Sequence, residues 1–249
     1  MDTMKMIEIS CQRCGTREHI YVWRCIVADQ NPEAVDQLER DVLHKWKCPS
    51  CGIRYVIPYD TVYVDVHRKH VVFYSPHRPK QPNALSYRIY ITSNCRALIR
   101  GFKKRACYGV NEFREKVLQL RNELDDRVVE VLKYYIRFIM SPHNPAEIYV
   151  RYDGIVIDDT DSPTISLRFV WVVDSINMHE ELLTVRYEYY QMVDGSGIVQ
   201  MLFPKGDKYM EVSQNYLETR ISQDSSLKEQ VMKDVARFSL SIREIMSRQ

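Results

Sequence analysis

A chain of 249 residues has room for one large domain or two modest ones, and either can bury a core. Apolar residues at 45% and charged residues at 27% exclude a disordered or collagen-like polypeptide. Thirty-five Lys and Arg against 33 Asp and Glu give a net +2, so overall charge selects neither nucleic acid nor a membrane surface. Tyrosine, at 17, is over-used in the way expected of half-buried strands that need large side chains with a polar tip.

In chain order, Cys11 and Cys14 with Gly15 behind them form a first knuckle. The alternating stretch 19–26, with Ile20, Val22 and Val27, predicts a short strand. Asn31 before Pro32 predicts a helix start, with Asn31 as cap and proline where no amide is needed. Val35, Leu38, Val42 and Leu43 carry that helix over 32–44, opposite a face of Glu33, Asp36, Glu39 and Asp41. A second knuckle follows at Cys48, Cys51 and Gly52, and strands are predicted at 55–59, 62–66, 71–74 and 87–92, the last two separated by a proline-rich loop over 75–84.

Phe113, Val117, Leu120, Leu124, Val128, Val131 and Tyr135 recur at steps of three and four, which predicts a long helix with Asn122 as the point where it could break. Beyond 141–145, the stretches 147–157, 164–173, 182–192 and 198–203 predict an antiparallel four-strand meander. A short helix is expected over 209–220. A longer one follows from Asp224, striped by Leu227, Val231, Val235, Phe238, Ile242 and Ile245.

Seven cysteines, four of them in two Cys-x-x-Cys pairs, fit metal thiolates better than a secreted disulfide framework. No apolar run approaches the roughly 20 residues of a membrane-crossing helix. Asp2, Lys5 and Glu8 interrupt the amino terminus where a signal peptide would be apolar. The expectation is a cytoplasmic protein with no membrane association. Two knuckles supply four thiolates, Cys11, Cys14, Cys48 and Cys51, enough to close a tetrahedron around zinc and leave no position for substrate. The 33 residues between the pairs exceed the usual ribbon spacing, and the inserted helix accounts for the excess. A thioredoxin-like redox pair is the competing reading, and it lacks a pair at a strand-to-helix junction. Cys25, Cys95 and Cys107 have no partners at ligand spacing and read as small buried hydrophobes.

Cys11-Gln12-Arg13-Cys14-Gly15 and Cys48-Pro49-Ser50-Cys51-Gly52, with Val22-Trp23, Asn31-Pro32-Glu33 and the stretch from Leu124-Asp125-Asp126-Arg127 to Val128-Val129-Glu130, resemble the CpXC proteins, named for paired Cys-Pro-x-Cys motifs. The resemblance runs from about 7 to 137, and Tyr152-Asp153-Gly154 is similar to the family's later part. Gln12 departs from the pattern at the position where proline is usual, which leaves the thiolates intact. The resemblance implies a metal-stabilised cytoplasmic bacterial protein and no settled activity.

Between Val66 and Asn111 lie Arg68, Lys69, Arg78, Lys80, Arg88, Arg96, Arg100, Lys103, Lys104 and Arg105 with no acid. Interleaved with Tyr74, Tyr87, Tyr90, Phe102 and Tyr108, these cations are what a nucleic-acid surface would use, with Arg96, Arg100, Lys103, Lys104 and Arg105 as the candidate contacts. The alternative is a solvated face whose cations answer acids elsewhere. Asp125, Asp126, Arg127 and Glu130 could bind a hard cation or act as acid and base, but read more simply as a solvated or interface charge network. Asp158, Asp159 and Asp161 read as a turn, and His67, His70 and His77 as surface residues.

The fold expected is α+β: a zinc-ribbon-like part with an inserted helix and the long helix over 1–140, then an antiparallel sheet with packed helices over 141–249. The function expected is a zinc-stabilised, non-catalytic binding or regulatory module for a partner macromolecule, a protein first. A nucleic-acid-binding protein using 66–111, and an enzyme with a site between the two parts, are the alternatives.

Overall fold

The computed structural model describes residues 3–78, 101–158, 164–174, 179–203 and 211–246. The chain forms two compact units. One spans Met1–Val117 and takes in Glu211, and the other covers the remainder from Leu118 onward.

The first unit is strand-rich. β1 (Met4–Ser10) and β2 (Arg17–Trp23) make an antiparallel hairpin, with Met6 opposite Tyr21. β4 (Lys45–Lys47) and β5 (Arg54–Val56) make a second. A four-stranded sheet runs β3 (Cys25–Val27), β6 (Thr61–Asp65), β7 (His70–Tyr74), β8 (Lys103–Cys107), parallel at its outer pairs and antiparallel at the centre. β6 is buried on both faces, and Val62, Val64, Val71, Phe73 and Ala106 form its core.

The inserted helix α1 covers Pro32–Glu39 and so stops short of residue 44. Asp41 adopts a left-handed φ of 59° and Val42 is exposed, which turns the chain into β4. Asn31 does not cap this helix with its side chain. Its Oδ1 instead accepts the Val27 amide at 3.0 Å and fastens the turn after β3. α2 (Val110–Arg121) follows β8 and ends before Glu123, whose φ of 58° breaks the apolar stripe near Asn122.

The second unit is built on α3 (Asp126–Met140), buried on nearly every side. Asp125 caps it, its Oδ1 accepting the Arg127 amide at 3.0 Å. β9 (Tyr149–Ile157), β10 (Ile165–Asp174) and β11 (His179–Arg186) form an antiparallel sheet in the order β11-β10-β9, with β9 against α3.

The meander ends there. Residues 187–192 and 198–203, expected as strand, instead form α4 (Tyr187–Gly195) and α5 (Ile198–Leu202). Tyr189, Tyr190 and Val193, then Ile198, Val199 and Leu202, are buried at a helical spacing that alternation does not produce. α6 (Gln214–Gln223) and α7 (Ser225–Met246) close the chain, with Asp224 Oδ1 accepting the Leu227 amide at 3.0 Å. Leu227, Val231, Val235 and Phe238 are buried as the stripe predicts, while the side chains of Ile242 and Ile245 lie outside the described residues. The strand expected at 87–92 also falls outside them. Among the described residues, no helix is long and apolar enough to cross a membrane.

Candidate metal centre

The hairpins β1–β2 and β4–β5 each carry one knuckle at the turn, and the two turns are built alike. The Gly15 amide donates to the Cys11 carbonyl at 2.9 Å, and the Gly52 amide to the Cys48 carbonyl at 3.0 Å. Cys11 and Cys48 in turn donate their amides to the carbonyls of Thr16 and Ile53. Gly15 and Gly52 sit at φ of 73° and 72°, a conformation that costs any residue bearing a Cβ. This tight turn aims both cysteines of a pair to one side.

Beneath the knuckles, Trp46 stacks on Tyr55 at 6.1 Å and donates Nε1–H to Glu18 at 2.8 Å. Trp46 shares a small apolar cluster with Cys11, Cys48, Ile9, Ile20, Ile53 and Ile57. The second hairpin is anchored by His44 at its foot, where the ring is buried among Tyr59, Tyr74 and Phe113 and reaches Thr61 Oγ1 at 3.0 Å.

The sulfurs of Cys11, Cys14, Cys48 and Cys51 all lie within 4.8 Å of one another. The contacts pair across the hairpins, Cys11 with Cys51 and Cys14 with Cys48, both at 3.6 Å. A tetrahedron with metal–sulfur bonds of about 2.3 Å has edges of about 3.8 Å, so the spacing and the all-thiol donor set fit a four-coordinate ion.

The electrostatics also call for a cation. Burial raises the Cys11 thiol, yet the amides of Cys14 and Arg13 and the Tyr55 hydroxyl outweigh it and bring the thiol down to about 6. Cys14 is lowered by the hydroxyl and amide of Thr16. At Cys51 the Ile53 amide pulls downward, but burial and the other three cysteines push the thiol up to about 12. Four thiols this close cannot all ionise without a positive charge among them. A metal ion held by the four sulfurs would supply that charge.

The remaining candidates are scattered. Cys25 is half-buried on β3 and Cys107 fully buried on β8, and Cys95 lies outside the described residues. Of the candidate nucleic-acid contacts, Arg96 and Arg100 also lie outside them. Lys103 and Lys104 are half-buried on β8, the last strand of its sheet among the described residues, and Arg105 is only 6% exposed and donates to the Lys104 carbonyl at 3.0 Å. Arg68 pairs with Asp65, and Arg78 with Glu211 and the face of Tyr108. His67 is exposed beside Asp29, His70 opens β7, and His77 is exposed. Asp158 follows the end of β9, with Asp159 and Asp161 outside the described residues.

The acidic stretch on α3 departs from expectation. Asp125 clasps Arg127, but Asp126 and Glu130, expected on a solvated side, are 0% and 2% exposed. Glu130 is held by Lys133 at 3.2 Å and by Gln214 at 2.8 Å, and Arg137 bridges to Gln214 and Glu218. This is a buried network within the second unit. A cavity of about 240 Å³ in the same unit is lined by Tyr135, Gln191, Asp234, Arg237 and Phe238, and reaches neither Asp125 nor Asp126.

Sequence reasoning missed Tyr55, Thr16, Ser50 and Trp46 around the sulfurs. The signal was present only as their nearness to the knuckles in the chain.

The CpXC protein family model matches residues 9–133, just over half of the chain, and takes in both knuckles, α2 and the first half of α3. No curated protein and no solved structure matches. The matched region contains the paired cysteines that the fold gathers into one metal-binding cluster, and the chain belongs to the CpXC family.

Proposed function

We propose that the chain is a zinc-stabilised, non-catalytic binding or regulatory module that recognises a protein partner. The observation that carries this reading is the closed donor set: four sulfurs fill a tetrahedron, and none of its corners is left for a substrate. Tetrahedral all-thiolate ligation selects zinc or iron among common metals, and zinc is the ion of structural ribbons. The ion holds together two hairpins whose shared apolar cluster is small.

The first hairpin also offers a surface. Met4, Met6 and Tyr21 are 36%, 53% and 66% exposed, and Met6 faces Tyr21 across the ladder. Adaptable methionines beside an aromatic ring suit a protein contact.

The metal-bearing part of this reading is the first unit, with α3 belonging by its packing to the sheet-and-helix part rather than to a part ending at residue 140, and both parts are placed in the cytoplasm. Cross-linking of the full chain in its native host, followed by mass spectrometry, tests the reading. Protein partners captured by the wild type and lost with Cys48→Ser support it, and an identical set from both chains contradicts it. In the nucleic-acid alternative, Lys103 and Lys104 would join Arg96 and Arg100 on phosphates, while Arg105 is too buried to take part. Its test is a mobility shift at low salt that weakens steeply as salt rises.

A further inference from the structure

Two hydroxyl groups reach the clustered sulfurs, and both fall on the first knuckle. Tyr55 Oη lies 3.6 Å from Cys11 Sγ, and Thr16 Oγ1 lies 3.2 Å from Cys14 Sγ. Both also join the hairpins. Tyr55 belongs to β5, beyond the second knuckle, and Thr16 donates to Ser50 Oγ of the second loop at 2.9 Å. Among the described residues, the side-chain contacts of Cys48 and Cys51 are to the other sulfurs, not to a hydroxyl.

A metal-bound thiolate can only accept a hydrogen bond. The Thr16 hydroxyl must then turn its proton to Cys14, and Ser50 must donate to Thr16, opposite to the direction in which Thr16 donates to Ser50 here. Each donor draws negative charge from its sulfur and makes that sulfur a poorer nucleophile. The sulfurs without a hydroxyl keep more of their charge and are the first to be attacked. Access argues the other way: Cys14 is exposed, Cys51 is half-buried and Cys48 is buried. Exposure alone would select Cys14 for attack, whereas hydrogen bonding selects Cys51, the more accessible sulfur of the second knuckle.

We propose that Tyr55, Thr16 and Ser50 form an outer hydrogen-bonded shell that anchors the metal to the first knuckle, so that the site opens from Cys51 when an electrophile attacks. This rests on the reading that the four thiolates hold zinc. The three hydroxyls are positioning groups and do not touch the ion.

The test treats the zinc-loaded full chain with substoichiometric N-ethylmaleimide and maps the first alkylated cysteine by mass spectrometry, with zinc content measured in the same samples. The wild type should label Cys51 several-fold ahead of Cys14. Thr16→Val should raise labelling of Cys14 until the order inverts, with Ser50→Ala moving it in the same direction as a milder change in an exposed loop. Tyr55→Phe should weaken zinc binding about tenfold, the lower end of what loss of an outer-shell partner costs. In cobalt-substituted protein, Tyr55→Phe and Thr16→Val should each move the sulfur-to-metal charge-transfer band to lower energy, a change that a general loss of stability does not produce. A chain that carries about one zinc but labels Cys14 first, or whose order is unmoved by both Thr16→Val and Ser50→Ala, overturns this proposal alone. A chain that retains no zinc overturns the underlying reading with it.

Discussion

His44 should make the first unit acid-sensitive by an amount that can be worked out from its surroundings. The Thr61 hydroxyl donates to the Trp23 carbonyl at 3.0 Å, so its proton is committed, and His44 must present Nε2–H to Thr61 Oγ1. The ring is 3% exposed and packed against Tyr59, Tyr74 and Phe113. Burial drives its pKa from 6.5 down to about 4, with Asp41 opposing only weakly.

Well above pH 6.5 both folded and unfolded chains hold a neutral ring, and His44 contributes nothing to the pH dependence. Between 6.5 and 4 the unfolded chain takes up a proton that the folded one refuses, so stability falls as pH falls. Linkage gives a loss of about 2 kcal/mol by pH 5 and about 3 kcal/mol by pH 4. Acid also protonates thiolates, so the measurement is a difference between two chains. Urea midpoints followed by tryptophan fluorescence, for wild type and His44→Gln at pH 7 and pH 5, remove what the two share. Glutamine can keep a donor for Thr61 and cannot titrate. Relative to the variant, the wild type should lose about 2 kcal/mol between the two pH values, and an unchanged difference would refute the account of a neutral, buried imidazole.

Two further predictions follow from the packing. Glu130 and Lys133 have side chains 2% and 5% exposed, so Glu130→Met should cost about 3 kcal/mol or more by taking the carboxylate away from a buried ammonium, while Glu130→Met with Lys133→Leu should recover most of it in thermal melts. If the double variant is as unstable as the single one, the pair is not what sets the cost. Gly15→Ala and Gly52→Ala should each cost about 1 kcal/mol and cost the same, because the strain is in the backbone at φ near 73° and the nearest contact of either added Cβ is Lys47 Cε at 3.9 Å. Unequal denaturation midpoints would show that the two knuckles are not built alike.

The parts of the fold legible in the sequence were those whose signal is local. Two Cys-x-x-Cys-Gly turns announce their chemistry within five residues each, and the helical stripes of α2, α3 and α7 repeat over enough turns to be read directly. Short elements fared worse. Tyr187 to Met192 is rich in tyrosine and reads as strand by propensity, yet Tyr189, Tyr190 and Val193 are buried together on a helix, and five residues of α5 are too few to establish a period. The charges of Asp126 and Glu130 suggested a solvated face because an isolated helix would turn them outward. What holds Glu130 inside is Lys133 one turn on and Gln214 of α6 some 80 residues later, a pairing with no trace in local sequence. The hydroxyls of Tyr55, Thr16 and Ser50 were hidden for the same reason, since their relation to the sulfurs depends on two hairpins meeting.

The measurement that bears most directly on the central claim is X-ray absorption at the metal edge of the full chain as purified. The account predicts a zinc edge and a first shell of four sulfurs at about 2.3 Å. A shell containing nitrogen or oxygen, a different metal, or no edge at all would contradict it.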